Sequence, residues 1–226
     1  MYKFNYKIPN TLDECIKSKA NAKDGRFLAG GMTLIAAMKQ RLSQVSDLID
    51  LKNIHELQGI SQTYSNDHKF VRIGSMSTHT QVVKSSIIKE NIPFLSELAE
   101  GIGDKSVRNK GTIGGSICNA DPAADYPAAL IAMEADIITD KRNIRANDFF
   151  TGMFETCLSE NELVLSIDFP ILKSAKYIKF SNPASRYAIV GVCLAKFDKK
   201  INLAITGASN YVFRLKEAEN KLFNNF

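Results

Sequence analysis

One stretch, TIGGSICNADPAADYP at residues 112–127, constrains the fold of this chain more than any other. Its paired glycines, Gly114 and Gly115, release the backbone, whereas its two prolines restrict it. Neither an ordinary helix nor an ordinary central strand is expected from that combination. The stretch therefore predicts a turn of defined shape, formed mostly by residues with small side chains.

A second glycine pair, Gly30-Gly31, begins 84 residues before Gly114, and both pairs follow a short apolar stretch. Where no Cβ intervenes, successive backbone N–H groups can converge on one point and bind phosphate oxygens. One Gly-Gly is most often only a turn, whereas two in similar contexts indicate a common ligand. Neither pair matches the dinucleotide-binding G-x-G-x-x-G or the P-loop, because the third glycine and the P-loop lysine are missing.

Hydrophobic periodicity predicts strands that alternate with helices up to about residue 170. TLDECIKSKA predicts a helix opened by a capping box of Thr11 and Glu14, and MTLIAAMKQRL predicts a helix with Leu34, Met38 and Leu42 on one side. Further helices are predicted in THTQVVKSSII, where Thr78 and Gln81 form a second capping box, and in IPFLSELAEGI and AALIAMEA. Strands are predicted in RFLAGG, DLIDL, KFVRIG, DIITD and ELVLSIDFP.

From residue 171 the pattern changes to the strands KYIKFS, YAIVGVCLAKF and INLAITGA, followed by the helix RLKEAENKLF. This order predicts a small α+β unit, with a domain boundary near residue 170.

Charge and cysteine usage exclude several classes of function. The 29 basic and 24 acidic residues give a formal net charge of +5 without a basic block, so nucleic-acid binding is not expected. The four cysteines lie far apart, which argues against a zinc or iron–sulfur site made by this chain alone, and no metal site is predicted. Isolated reduced thiols fit a cytoplasmic protein, and no stretch approaches the ~20 apolar residues of a membrane span.

The segments LAGGMTLIAAMKQRL and VRNKGTIGGSICNADPAADYPAAL closely resemble the FAD-binding (medium) subunit of the molybdenum hydroxylases, the family of xanthine dehydrogenase and aerobic carbon monoxide dehydrogenase. Similar segments, among them VRIGSMSTHT and NDFFTGMFETCLSENELVLSI, extend the resemblance in order over nearly the whole chain. It implies an α+β chain with a vanillyl-alcohol-oxidase (PCMH)-type FAD-binding fold. Residues 1–170 would form two α/β subdomains, about 1–53 and 54–170, and residues 171–226 a small, shortened α/β domain with an antiparallel sheet that covers the flavin.

The resemblance also implies non-covalent FAD and assigns residues to it. Two loops would hold the pyrophosphate, and Tyr187 would lie near the flavin ring. Asp121 or Asp125 would bond the ribityl or ribose hydroxyls, although Asp121 fits equally well as a cap of the turn before Pro122. The implied cofactor-binding residues are Ala29, Gly30, Gly31, Met32, Thr33 and Leu34, then Thr112, Ile113, Gly114, Gly115 and Ser116, and finally Asn119, Asp121, Asp125 and Tyr187.

Several other residues in or near these segments depart from the family pattern or have less specific roles. Met32 stands where relatives usually carry a small polar side chain or a histidine, and Arg186 where an acidic residue is expected. His79, beside a predicted helix N-cap, is typical of a structural hydrogen bonder. Lys105 and Arg108 would line the route to the acceptor or face a partner, with solvated charge as the default.

The implied function is that of an electron-transfer subunit without catalytic residues of its own. Electrons would come from [2Fe-2S] clusters in a small partner subunit, after substrate oxidation at the molybdopterin cofactor of a large partner subunit, and would pass to NAD, a quinone or oxygen. The expected assembly is a heteromer, a dimer of heterotrimers. The absence of a cysteine-rich insertion after the second glycine pair weakens a role in aromatic-CoA reduction. Two alternatives stay open: a stand-alone FAD-dependent reductase of the same fold, and a nucleotide-binding module without redox function.

Overall fold

The computed structural model describes residues 1–65, 68–172 and 174–225. The chain begins with a three-stranded parallel sheet and two helices. Their bounds are β1 (Asn5–Lys7), α1 (Leu12–Ala20), β2 (Gly25–Leu28), α2 (Leu34–Lys39) and β3 (Asp47–Asp50). The strand order is β1-β3-β2, so the central strand is the last in sequence. Both pairs are parallel, and α1 and α2 lie in the crossover connections that parallel strands need.

Both helices of this first unit differ from the prediction at one end. Thr11 caps α1 by accepting the Glu14 N–H at 3.2 Å, but the Glu14 carboxylate accepts the N–H of Asn10, so the predicted capping box is only half formed. Helix α2 ends at Lys39, and Leu42, predicted on its apolar side, is 78% exposed. The prediction for Leu42 was wrong because Arg41, with φ of 60°, turns the chain away.

The second unit is a five-stranded antiparallel sheet with most of the helices. After a short 3₁₀ helix (His55–Leu57) come β4 (Ile60–Ser65), β5 (His68–Gly74), α3 (His79–Lys84), α4 (Ser86–Asn91), α5 (Pro93–Glu100), α6 (Lys105–Lys110), α7 (Ile113–Asn119), α8 (Tyr126–Met133), β6 (Asp136–Thr139), β7 (Asn143–Arg145), α9 (Ala146–Phe149), β8 (Phe150–Gly152), β9 (Glu155–Thr156) and β10 (Val164–Pro170). The strand order is β4-β5-β10-β6-β7, with β8 and β9 as a separate pair. The edge strand β4, ISQTYS, was not predicted because it is too polar to show a hydrophobic period.

Helix α8 is the centre of the core. All eight of its residues are buried, which is typical of a helix enclosed on every side. It packs on α5 and β10 of the second unit and on two strands of the third sheet, β12 (Ala188–Lys196) and β13 (Ile201–Thr206). One continuous apolar core therefore joins the second and third sheets. Within the described ranges, no helix has the length and apolar character needed to cross a membrane.

The third sheet is antiparallel, in the order β11-β12-β13-β14, with β11 at Ser174–Ser181 and β14 at Phe213–Arg214, and the chain continues into α10 (Lys216–Asn225). Side chains of β11 alternate between an inner and an outer face. The outer face carries Ile178 and Phe180, which are 70% and 71% exposed and lie opposite Val192 and Val190. The inner face packs on α8.

Glu162 joins the turn between β6 and β7 to the segment that leads into β10. Its side chain is fully buried and accepts from Arg142 Nε at 2.9 Å, Thr139 Oγ1 at 2.9 Å and the Ser159 N–H at 2.9 Å. These bonds, that of Arg142 above all, lower the pKa of Glu162 from 4.5 to about 2 although burial opposes them.

Because its folded pKa lies below the unfolded one, Glu162 contributes stability that is present above about pH 4.5 and is lost as the pH falls towards 2. We expect E162Q to lower the free energy of unfolding at pH 7 by about 1–3 kcal/mol and to flatten its pH dependence in that window. Denaturant titrations from pH 2.5 to 7 measure both effects. E160Q is the control because the Glu160 side chain is 84% exposed, and an equal flattening in E160Q would contradict the assignment.

Candidate functional site

A cavity of ≈ 650 Å³ opens where the three sheets meet. All the predicted cofactor-binding residues line it except Ile113, which is fully buried in the core. The first unit contributes the segment after β2, the second contributes α7 with the turn that follows it, and the third contributes Ser185, Arg186 and Tyr187. The structure thus brings together residues that are up to 158 positions apart in the chain.

The first glycine pair lies in the turn between β2 and α2. Gly31 has φ of 73°, a left-handed conformation that favours glycine. Gly30 has an ordinary φ, but a Cβ there would lie 2.0 Å from the Lys110 carbonyl oxygen, so the two backbones touch. Within the part of the chain that the structure describes, the N–H groups of residues 30–33 have no acceptor. This turn therefore presents four consecutive N–H donors beside the cavity.

The second glycine pair lies in a helix rather than in the predicted shaped turn. Thr112 caps α7 by accepting the Gly115 N–H at 3.0 Å, and Gly114 and Gly115 occupy its first turn. The prediction was wrong because both glycines are helical, and Gly114 allows a close approach to Ser75 rather than an unusual backbone angle. A Cβ on Gly114 would lie 2.6 Å from the Cβ of Ser75, and one on Gly115 would lie 3.6 Å from the Cβ of Ala29.

The two segments differ in their free hydrogen-bond donors. The N–H groups of Ile113 and Gly114 bond the carbonyls of Ser77 and Ser75, and those of Gly115 and Ser116 bond Thr112. All four amides of the second segment therefore have protein acceptors. The first segment offers N–H groups to a ligand, whereas the second offers a surface without side chains at Gly115 and a hydroxyl at Ser116 that lines the cavity.

The two candidate aspartates have different surroundings. Asp125 is 5% exposed, and its oxygens accept from Tyr177 Oη at 2.5 Å and Lys179 Nζ at 3.1 Å. Burial raises the pKa of Asp125, while these two partners oppose the rise. Asp121 is half-buried, and its Oδ1 caps the turn by accepting the Ala123 N–H at 2.9 Å. Among the described residues Oδ2 of Asp121 has no partner, so this carboxylate is the freer of the two.

Tyr187 is 45% exposed and lines the cavity from the third sheet. Burial, together with the charges of Asp121 and Asp125, raises the pKa of its phenol, so it is neutral at pH 7. Its predecessor Arg186 has φ of 61°, an uncommon left-handed conformation for a side-chain-bearing residue.

His79 is a structural residue at the back of the cavity. It is 4% exposed, its Nδ1 shares a 3.2 Å hydrogen bond with the buried Tyr126 hydroxyl, and its N–H bonds the Gly111 carbonyl. Burial, and to a lesser degree Arg108, lowers the pKa of His79 to about 4, so the ring is neutral at pH 7. Arg108 itself donates to the carbonyls of Ile102 and Gly103 and so braces the turn before α6.

Sequence reasoning missed Ser75. It is 4% exposed and lines the cavity beside Gly114, and its Oγ is buried without a hydrogen-bond partner among the described residues. Burying a hydroxyl without a partner costs free energy, so such a group beside a cavity indicates a ligand. No sequence signal marks Ser75, because a serine after a strand is common in turns.

Comparison with known proteins identifies the family. Residues 2–172 match the family described as the FAD binding domain in molybdopterin dehydrogenase. The chain belongs to that family. The glyceraldehyde dehydrogenase medium chain of Sulfolobus acidocaldarius is 35% identical over 96% of this chain and 79% of that protein. The carbon monoxide dehydrogenase medium chain of Hydrogenophaga pseudoflava is 32% identical over 97% of this chain and 80% of that protein.

Solved structures agree with this assignment. A carbon monoxide dehydrogenase from Hydrogenophaga pseudoflava, which lacks the Mo-pyranopterin moiety of its cofactor, superposes with a TM-score of 0.89 at 33% sequence identity. The match covers 97% of this chain and 79% of the chain in that structure. Quinoline 2-oxidoreductase from Pseudomonas putida has a TM-score of 0.90 at 26% identity and the same coverage. The chain therefore has the expected α+β fold of the PCMH type and is an FAD-binding medium subunit of a molybdenum hydroxylase-type oxidoreductase.

The cavity fits this cofactor on three observations. Its ≈ 650 Å³ lies within the usual range for small-molecule and cofactor sites. The unpartnered N–H groups at residues 30–33 suit phosphate oxygens. The bare Gly115 surface leaves room for close approach, and the hydroxyl of Ser75, a residue of the cavity lining, has no partner among the described residues.

We expect Ser75 to hydrogen-bond the bound cofactor. S75A should raise the Kd for FAD about 2- to 13-fold, as for the loss of one hydrogen bond, while leaving the cofactor-free chain equally or more stable because an unsatisfied polar group is removed. Flavin fluorescence titration measures the first effect and denaturant unfolding of the apo chain the second. S77A is the control, since the Ser77 hydroxyl bonds the Gly59 carbonyl. An unchanged Kd in S75A would contradict the contact.

Proposed function

We propose that this chain serves as the electron-transfer subunit of a molybdenum-containing hydroxylase, with FAD held in the cavity between the three sheets. It would take electrons from [2Fe-2S] clusters of a small partner subunit and pass them to NAD, a quinone or oxygen. When bound, FAD can accept and release one or two electrons. The observation that carries the proposal is the convergence of two glycine segments, 84 residues apart, on one cavity of cofactor size.

In this proposal the residues of the chain bind and orient the cofactor. The N–H groups of residues 30–33 donate to the pyrophosphate, and the polar side chains of Thr33 and Ser116 lie beside it. Asp121 bonds the ribityl or ribose hydroxyls, because Asp125 already accepts from Tyr177 and Lys179. Tyr187 covers the flavin from the third sheet. No acid or base of the polypeptide is required.

The three sheets support a matching division of the chain. We propose that residues 1–170 form the FAD-binding part, divided near residue 53, and that residues 171–226 form the covering domain. This boundary separates β10 of the second sheet from β11 of the third.

The two glycines of α7 provide a test that separates cofactor binding from folding. G115V should abolish FAD retention, because its methyl groups would enter the gap towards Ala29, while the helical backbone still folds. G114A should instead lower the free energy of unfolding of the apo chain by about 1–3 kcal/mol, because its Cβ would overlap Ser75. The measurements are the FAD absorbance retained after gel filtration and denaturant unfolding.

G115A is the matched control. Its nearest neighbour is the Thr112 hydroxyl at 3.0 Å, at the end of a side chain that can shift slightly, so FAD retention should remain. A folded G115V chain with full FAD content would refute the location of the site.

The outer face of the third sheet favours assembly with other subunits. Ile178 and Phe180 are large apolar side chains exposed on a sheet, with Val190 and Val192 beside them. Contiguous apolar surface of this kind is typical of protein contacts. The proposed partners are a large molybdopterin subunit and a small [2Fe-2S] subunit, in a dimer of heterotrimers.

We expect the complex purified from its native source through this chain to contain molybdenum, iron and acid-labile sulfide together with FAD, because the described cysteines provide no cluster site here. Metal analysis, mass spectrometry and light scattering measure composition and stoichiometry. A native preparation free of molybdenum and iron, in which this chain alone turns over an organic substrate, would favour the stand-alone reductase. A folded chain that ignores added FAD would favour the module without redox function.

A further inference from the structure

Lys179, on the inner face of β11, makes an unusual set of contacts. Its side chain is only 8% exposed. Its ammonium group donates to the Gly101 carbonyl at 2.8 Å, the Arg186 carbonyl at 2.9 Å and Asp125 Oδ2 at 3.1 Å. An ammonium has three N–H donors, so every donor of this buried cation has an acceptor.

The three acceptors belong to three different segments in or next to the wall of the cavity, two of which, at Asp125 and Arg186, line it. Gly101 ends α5, Asp125 precedes α8 and lines the cavity, and Arg186 lies in the loop between β11 and β12. Lys179 therefore joins the third sheet to the second unit next to the cavity. A buried charge is tolerated at such a position only when it is fully paired.

The loop that Lys179 holds is under backbone strain. Arg186 has φ of 61°, which costs free energy for a residue with a Cβ. Its carbonyl accepts from Lys179, its N–H bonds the Asn182 carbonyl at 2.9 Å, and the next residue is Tyr187. A strained residue persists only where its surroundings hold it. Here the buried ammonium holds the loop, together with the bond from the Arg186 guanidinium to the Gly103 carbonyl and the bond from the Asn182 N–H to the Tyr187 carbonyl.

We propose that Lys179 is a positioning residue of the cofactor site: by binding the Arg186 carbonyl, its ammonium keeps Tyr187 against the cavity and joins the covering sheet to the FAD-binding part. This inference rests on the proposed location of FAD. It assigns Lys179 no contact with the cofactor, since its donors are used by protein acceptors.

The test uses the full chain with FAD and the variant K179M, which keeps the length of the side chain and removes its charge. K179M should raise the rate of FAD dissociation at least about tenfold, as expected for the loss of hydrogen bonds to a charged group. Backbone hydrogen exchange at residues 186–188 should become faster. The control is K176M, because Lys176 lies on the same strand and makes an exposed ion pair with Glu97. K176M should leave both measurements within about twofold of wild type.

A double-mutant cycle with Y187A separates positioning from general destabilisation. If Lys179 acts through Tyr187, K179M should have little further effect on FAD dissociation once Tyr187 is removed. An equal effect of K179M with and without Tyr187 would overturn the proposal. If K179M does not fold because Asp125 is left unpaired, K179M/D125N removes both charges and is compared with D125N alone.

The outcomes for the two proposals are distinguishable. If the wild-type chain binds FAD and K179M releases it at the wild-type rate, only the proposed role of Lys179 is overturned. If the wild-type chain binds FAD and G115V binds it equally well, the proposed location of the site is wrong instead.

Discussion

The structure depends on the close approach of polypeptide backbones at the two glycine pairs. Gly30 lies against the peptide between Lys110 and Gly111, and Gly114 lies against Ser75, at distances that no Cβ could share. The Gly30 contact brings the first unit to the helices of the second, and the Gly114 contact packs α7 on the turn after β5 within the second unit. The cavity is the space that remains beside them, so the same absence of side chains that allows the packing also leaves room for a phosphate group.

The polar groups around the cavity are divided between structural and free ones. Lys179, Asp125 and Tyr177 satisfy one another, and the neutral His79 bonds Tyr126. Desolvation makes an unpaired charge costly, so the interior ion pair is held by complete hydrogen bonding. Among the residues that the structure describes, the groups without hydrogen-bond partners include the N–H groups of residues 30–33 and the Ser75 hydroxyl, which are neutral, and Oδ2 of the half-buried Asp121.

Local signals predicted most of the regular elements. The capping box of Thr78 and Gln81 is fully formed, and Pro93 opens α5 as expected. Errors arose where a residue's role depends on a distant neighbour. Gly114 and Gly115 indicated a turn because glycine is usually a turn residue, yet they are helical and serve packing. Leu42 fitted an apolar period that the left-handed Arg41 interrupts, and β4 has a polar sequence that becomes a strand by pairing with β5.

The sequence by itself determined most of the regular elements, the two glycine segments and the family to which they belong, because these follow from local pattern and residue type. Only the tertiary structure decided which amides are free, which aspartate is already paired and that the Ser75 hydroxyl is buried without a partner among the described residues. Those properties depend on partners supplied from elsewhere in the chain, such as the Lys179 ammonium that donates to Asp125 and the Ser75 carbonyl that accepts the Gly114 N–H. A hydrogen-bond donor is available to a ligand only when no protein acceptor reaches it, and only the folded chain decides that.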